Sequence, residues 1–272
     1  MRVLAHAHSD WSHDSSLSLT EWRSLARGLD VGMVLLTDHE EAGWTAQRYS
    51  EYVRACRDAS DAQVTLVPGL EFSQEGRHLL CYGLLDLPPR PSSSADLAGA
   101  VRAQGRWLCL AHPAKYRWRF PEPMLAAVDG VEVWNSKWIY DGGLGPHPRS
   151  LALASGKLWM AGQDVHRHKH FSRLLIETPS PDVLEDLAAG RYVFLNAGNR
   201  ISVRSLAVRG AMGVAQRVRT WALRHVIRGI RAWRRLKSRA RSTAARSGSR
   251  LPELGTQRGP GLSGKGVPRR GE

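Results

Sequence analysis

From residue 2 to about residue 200, short apolar runs alternate with segments whose apolar residues recur at helical spacing. The runs Val3–Ala7, Gly32–Leu36, Val64–Val67, Leu79–Leu84, Trp107–Leu110, Val131–Trp134 and Leu158–Ala161 predict seven strands. Leu19–Leu29, Ala46–Ala59, Leu97–Gln104, Met124–Val128 and Pro181–Ala189 predict helices between and after them. Thr20 before Glu21, and Ser180 before Pro181, are the expected helix starts. Gly32, Gly130 and Gly190 fall where helices stop or the chain turns. Strands alternating with helices imply an α/β fold with a mostly parallel sheet, open or closed into a barrel. A hairpin is expected near Glu71–His78, where Phe72–Arg77 separates two strand candidates.

After about residue 204 the pattern changes. Val214–Arg241 can be drawn as one helix with Val214, Val218, Trp221, Ala222, Val226, Ile230 and Trp233 on one broad side. Arg217, Arg224, Arg228, Arg231 and Arg235 gather on the other. From Ser242 onward Ser, Gly, Pro and Arg dominate, and disorder is expected. The chain thus divides into a barrel over 1–203, a basic amphipathic helix within 204–241 and a basic tail over 242–272.

Charge follows the same division. The 272 residues carry a formal net charge of +14, yet 204–272 hold eighteen Lys and Arg against two acids, Glu253 and Glu272. The remaining 203 residues, with 21 basic and 23 acidic groups, are nearly neutral. Attraction to an anionic membrane or to RNA is therefore an expectation for residues 214–241, not for the body. Packing of the helix's apolar side on the barrel is an equal alternative. Three cysteines, Cys56, Cys81 and Cys109, make no disulfide framework in a chain this long. No leader is expected ahead of His6, and no stretch nears the roughly 20 apolar residues that span a bilayer. The expected location is the cytoplasm, with peripheral membrane attachment through the helix as a variant.

The candidate chemistry sits at strand ends. His6 and His8 follow the first run, Asp38 and His39 the second and Glu71 the third. His112 follows Leu-Cys-Leu-Ala, and Asp164 and His166 follow Trp-Met-Ala-Gly-Gln. In a parallel barrel such ends converge on one face. His-x-His puts two imidazoles on one side of an extended chain, about 7 Å apart at ~3.3 Å per residue. Imidazoles and carboxylates without thiolate favour zinc, manganese or iron. More than four such groups suggest a polynuclear centre that activates a water and clamps an anionic oxygen.

These motifs resemble the PHP family (polymerase and histidinol phosphatase domains). His6-Ala-His8-Ser9-Asp-Trp-Ser12-His-Asp14 matches its first motif and Thr37-Asp38-His39 its second. Pro68-Gly69-Leu70-Glu71 precedes a strand opening with His78; Ala111-His112-Pro113 and Gln163-Asp164-Val165-His166 match the rest. The match runs from residue 3 to about residue 200. It implies a distorted seven-stranded (β/α) barrel holding two or three divalent ions and hydrolysing a phosphate ester. By position, His6, His8, Glu71 and Asp164 would serve one ion. Glu71 would bridge to a second with His78 and His112, and His39, His166 and Asp14 would complete a third. In three places the sequence departs from the family pattern. Asp14 lies six residues after His8 where some members have five, Gln163 replaces a Ser, and Glu40 follows His39 where Asn or Asp is usual. None removes a ligand.

The implied substrate is a small phosphorylated metabolite, a nucleotide or an oligonucleotide end. Asp38 and His39 are candidates to move the proton. Lys115 is the first candidate to meet the phosphate, with Arg117 and Arg77 behind it. His13 competes with Asp14 as a ligand, while His168 and His170 read as loop residues. Glu132 and Asn135 suit rim hydrogen bonding as well as substrate contact. Trp107, Trp134 and Trp159 read as core; Trp118 and Trp138 are placed to stack on a base or sugar. Two other readings compete. An amidohydrolase-type barrel also opens with His-x-His but commonly bridges its metals with Lys, where this chain has Glu71. A non-catalytic metal-stabilised domain recruited by its tail would have no need of a polynuclear site.

Overall fold

The computed structural model describes residues 1–137 and 146–201. Trp138 and both proposed tail sections, 204–241 and 242–272, lie outside the described residues. Two six-stranded sheets form a mixed α/β fold. In the first, β1 (Arg2–Ala7) pairs in parallel with β2 (Met33–Leu36), and β2 with β4 (Thr65–Val67). On its other side β1 pairs antiparallel with β10 (Leu174–Glu177), followed by β11 (Val193–Asn196) and β12 (Asn199–Ile201). The second sheet runs β3 (Asp38–His39), β5 (Gly69–Gln74), β6 (Arg77–Tyr82), β7 (Leu108–Leu110), β8 (Gly130–Asn135) and β9 (Leu158–Gly162).

The sheets adjoin where two segments of the chain pass directly from one to the other. Thr37 alone separates β2 from β3, and Pro68, which has no N–H to give a ladder, separates β4 from β5. Gly69 is required at that crossing: a Cβ there would lie 2.3 Å from the Cys81 carbonyl oxygen and 2.5 Å from that of Leu36. At the far side, Gln163 N–H donates to Ala5 O (3.1 Å), Val165 N–H to His6 O (3.2 Å) and His8 N–H to Val165 O (2.9 Å). The segment after β9 is thereby laced to β1.

Half the strand pairings are antiparallel, so the sheet is less parallel than the alternation of runs implies. The β5–β6 hairpin stands where expected and turns at Glu75–Gly76, both at positive φ. The expected runs correspond to β1, β2, β4, β6, β7, β8 and β9 within a few residues. β2 is buried along its whole length, which is why it reads as an unbroken apolar run; β8 is buried throughout as well but carries Glu132 in its middle. The helices are α1 (Leu19–Gly28), α2 (Ala46–Ala59), α3 (Ser94–Ala103), α4 (Glu122–Ala127), α5 (Pro148–Leu153) and α6 (Val183–Ala188). Two helix starts differ from expectation. Ser18, not Thr20, caps α1, in a reciprocal box with Glu21 that satisfies two end groups at once. The last helix begins at Val183 after Asp182 rather than at Pro181. Trp107 and Trp134 are core, Trp159 packs on it, and all three cysteines are buried and free. Among the described residues no helix is long and apolar enough to cross a membrane.

Candidate metal centre

Strand ends deliver the polar groups, but not by a straight extended chain. His6 has φ 62° and sits at a break in the β1–β2 register between Ala5 and Ala7, so it is a bulge residue. The His6 and His8 rings lie 5.3 Å apart, tilted by 50°. His112 (φ 25°) and Asp164 (φ 54°) are also in the left-handed region that non-glycine residues avoid. Three candidate ligands thus hold disfavoured backbone, as functional sites often do. β6 runs against its neighbours, so it contributes His78 from its beginning rather than its end.

The nine candidate ligands meet in one place. His6, His8, Glu71 and Asp164 have ligand atoms all within 4.8 Å of one another, and so do His8, Asp14, His39 and His166. His39, Glu71 and His78 make a third such group. Glu71 joins them: Oε2 lies 3.4 Å from His6 Nε2 and 3.3 Å from His8 Nε2. Its Oε1 contacts His78 Nδ1 and lies 3.1 Å from His112 Nε2. Asp164 Oδ1 is 3.6 Å from Nε2 of both His6 and His8. Asp14 Oδ2 reaches His166 Nε2 at 2.9 Å and His39 Nε2 at 3.5 Å. A cavity of about 350 Å³ opens over this cluster, lined among others by His13, Glu41, Lys115 and Lys137.

A metal fits this donor set. His8 Nε2 is fully buried and has no partner in hydrogen-bonding geometry, although two carboxylate oxygens stand within 3.6 Å of it. Imidazole and carboxylate atoms gathered within 4.8 Å of one another are what an ion-binding shell requires. Glu71 and Asp164 are 1% and 3% exposed, and burying such charge is costly without cations nearby.

The electrostatics agree. Burial would push His8 down, but Asp164 and Glu71 outweigh it and raise its pKa to about 9. Burial likewise opposes His6, and Glu132, Glu71 and Asp164 hold it well above the ordinary imidazole value. Burial would raise Glu71 and Asp164, yet His6 and the neighbouring histidines keep both well below the usual carboxylate range. Burial opposes Asp14 too and is overcome by the bonds to His166 and His39, which lower it. His112 and His166 remain below the ordinary value because burial exceeds the pull of Glu71 and Asp14.

The loop carrying the first ligands is fastened from several sides. Trp22 of α1 donates its indole N–H to His8 O at 3.0 Å, and Ser15 Oγ donates to His8 O and His166 O. His39 N–H donates to Ser12 Oγ at 2.8 Å. Asp38 is spent here: one oxygen accepts from Ser9 N–H (2.6 Å), the other from Ser9 Oγ–H (2.7 Å), and the residue does not line the cavity.

Other candidates separate. Lys115 lines the cavity; Arg117 does not, nor does Arg77, whose guanidinium lies 4.8 Å over the Tyr116 ring and donates to Arg119 O. His13 lines the cavity, its ring 5.4 Å from that of His39. His170 accepts at Nδ1 from His166 N–H, while His168 packs near Phe171. Trp118 stacks on His147 at 4.1 Å and donates to Ser150 Oγ. Lys137 escaped the sequence reading. Its Nζ lies 3.1 Å from Asp164 Oδ1 and 3.2 Å from His166 Nδ1, two residues beyond the end of β8, so the strand-end rule that found the ligands applied to it as well.

Solved structures supply the comparison. A two-domain protein from Bacteroides vulgatus containing a predicted PHP-like metal-dependent phosphoesterase aligns with TM-score 0.58 at 15% identity, over 76% of this chain and 68% of that one. The chain has a PHP-like fold. Weaker similarity extends to a protein from Bifidobacterium adolescentis described as a metal-dependent phosphoesterase (TM-score 0.44, 16% identity, 61% of this chain and 87% of that one). An amidohydrolase from Chromobacterium violaceum with bound sulfate gives TM-score 0.49 at 16% identity, over 73% of this chain and 100% of that one. No protein-family model matches the chain, and no curated protein matches it. What the PHP-like fold contributes is the placement of strand ends around one cavity.

Proposed function

We propose that this PHP-like chain is a metal-dependent hydrolase of phosphate esters, with β1, the interrupted strands β2–β3 and β4–β5, and β6, β7, β8 and β9 making the distorted seven-stranded barrel. The observation that carries the reading is the buried His8 Nε2 standing 3.3 Å from Glu71 Oε2 and 3.6 Å from Asp164 Oδ1, two carboxylates that reach a cavity lined by further histidines. His6, His8, Glu71 and Asp164 would hold one ion, Glu71 with His78 and His112 a second, and His39, His166 and Asp14 a third. Divalent ions such as manganese, zinc or iron would supply acidity to a water nucleophile and positive charge to phosphoryl oxygens. Lys115 and Lys137, both at the cavity, would meet the remaining phosphate charge. His39, beside Asp14, would accept a proton, and Asp38 would act through Ser9 by holding the loop. The substrate would be a small phosphorylated metabolite, a nucleotide or a nucleic-acid end, and residues 214–241 would supply any contact with RNA or an anionic membrane.

The test is phosphate release from a panel of phosphomonoesters, nucleotides and short oligonucleotides, with and without added manganese. Manganese-dependent release from at least one class is the expected result. A protein that binds manganese yet hydrolyses only amide substrates would turn the reading toward an amidohydrolase, and one that hydrolyses nothing toward a scaffold.

A further inference from the structure

Glu132 lies in the middle of β8 and is completely buried, where an ionised carboxylate is costly unless its lone pairs are occupied. Both oxygens are occupied. Oε1 is 2.9 Å from His6 Nδ1; Oε2 accepts from His112 N–H at 2.6 Å and from Asn135 Nδ2–H at 2.8 Å. The space has been cleared for it. A Cβ on Gly162 would stand 1.7 Å from Glu132 Oε1 and 2.8 Å from His6 Cβ, so any side chain there would expel the carboxylate from His6. His6 and His112, the two residues it touches through ring and backbone, are both held at positive φ.

We propose that Glu132 is a positioning residue that fixes the tautomer of His6 and ties it to the backbone of His112, so that the metal positions served by these two histidines are set together. The inference rests on the metal reading above. An ionised carboxylate only accepts, so a neutral His6 must carry its ring proton on Nδ1. Nε2 then presents its lone pair toward Glu71 Oε2 at 3.4 Å and Asp164 Oδ1 at 3.6 Å, where an ion would sit. Glu132→Gln keeps the shape and removes this logic. Two N–H donors hold the amide oxygen on the His112 side, so the amide NH₂ faces His6 Nδ1. The proton is thereby forced to Nε2, the nitrogen needed as a ligand.

The experiment pairs zinc titration with ¹⁵N NMR of the histidine rings in the full chain. Wild-type protein loaded with zinc should show His6 protonated at Nδ1. Glu132→Gln should bind zinc about 10–100-fold more weakly at the His6 position. It should keep wild-type affinity at the position served by Asp14, His39 and His166. A role in packing alone would leave both readouts unchanged, since Gln has the same shape. An Nε2-protonated His6 in zinc-loaded wild-type protein overturns the proposal even if the variant does not fold. Equal zinc affinity in wild type and variant overturns it while leaving the metal reading standing. A wild-type chain that takes up no zinc or manganese removes both.

Discussion

Metal binding at this centre should release protons, and the structure says how many at least. His8 can act as a ligand only when neutral, yet without an ion its pKa is raised to about 9 by Asp164 and Glu71. At pH 7 His8 is then almost entirely protonated, a penalty on binding on the order of 3 kcal/mol at 1.36 kcal/mol per pH unit. His6 is raised as well and adds to the effect. Calorimetric titration with zinc at pH 7, in buffers of different ionisation enthalpy, should therefore report at least one proton released per chain. Affinity should tighten about tenfold from pH 7 to pH 8 for the His8 proton alone. The same residue governs the metal-free fold. Its folded pKa lies above the ordinary 6.5, so its contribution is complete below about pH 6.5 and is lost as the pH rises through about 9. Chelated protein should lose up to about 3 kcal/mol across that window in urea unfolding. Binding that releases no proton and keeps a flat affinity from pH 6.5 to 8.5 would refute the reasoning.

Three further outcomes are expected. Asp164→Ala should lower metal-dependent hydrolysis by more than about 100-fold, since even residues behind the ligands cost 10–100-fold, while the circular dichroism spectrum stays native. Gly162→Ala should destabilise the fold by about 1–3 kcal/mol in urea titrations, because its Cβ overlaps the Glu132 carboxylate. Ser18→Ala removes the cap of α1 and should cost about 0.5–2 kcal/mol with kcat unchanged, a control separating stability from chemistry.

Much of the site was legible because most of its polar groups, though not Asp14 or His78, end apolar runs, and a run buried on both faces is conspicuous in sequence. Other features depend on contacts between distant segments, which periodicity does not carry. The pairing of Glu132 with His6 spans 126 residues and could be read only as a choice between rim and substrate. Asp38 looked catalytic beside His39, but adjacent strand residues point to opposite faces, and Ser9 takes its carboxylate. The bulge at His6 is set by the β1–β2 register, which the His-x-His spacing does not carry. The strands β10 and β11 are only partly buried and end in no ligand, which left them without a signal; β3 is two residues long. Beyond the breaks at Thr37 and Pro68, β3 and β5 continue into the second sheet, past the ends at Leu36 and Val67 that the apolar runs suggest.

The convergence of His6, His8, Glu71 and Asp164 on a shared cation is tested most directly by anomalous diffraction from crystals of the full chain grown with manganese. A peak within coordination distance of all four side chains is the predicted result. A cavity that stays empty at saturating manganese, or peaks found only elsewhere on the molecule, would contradict it.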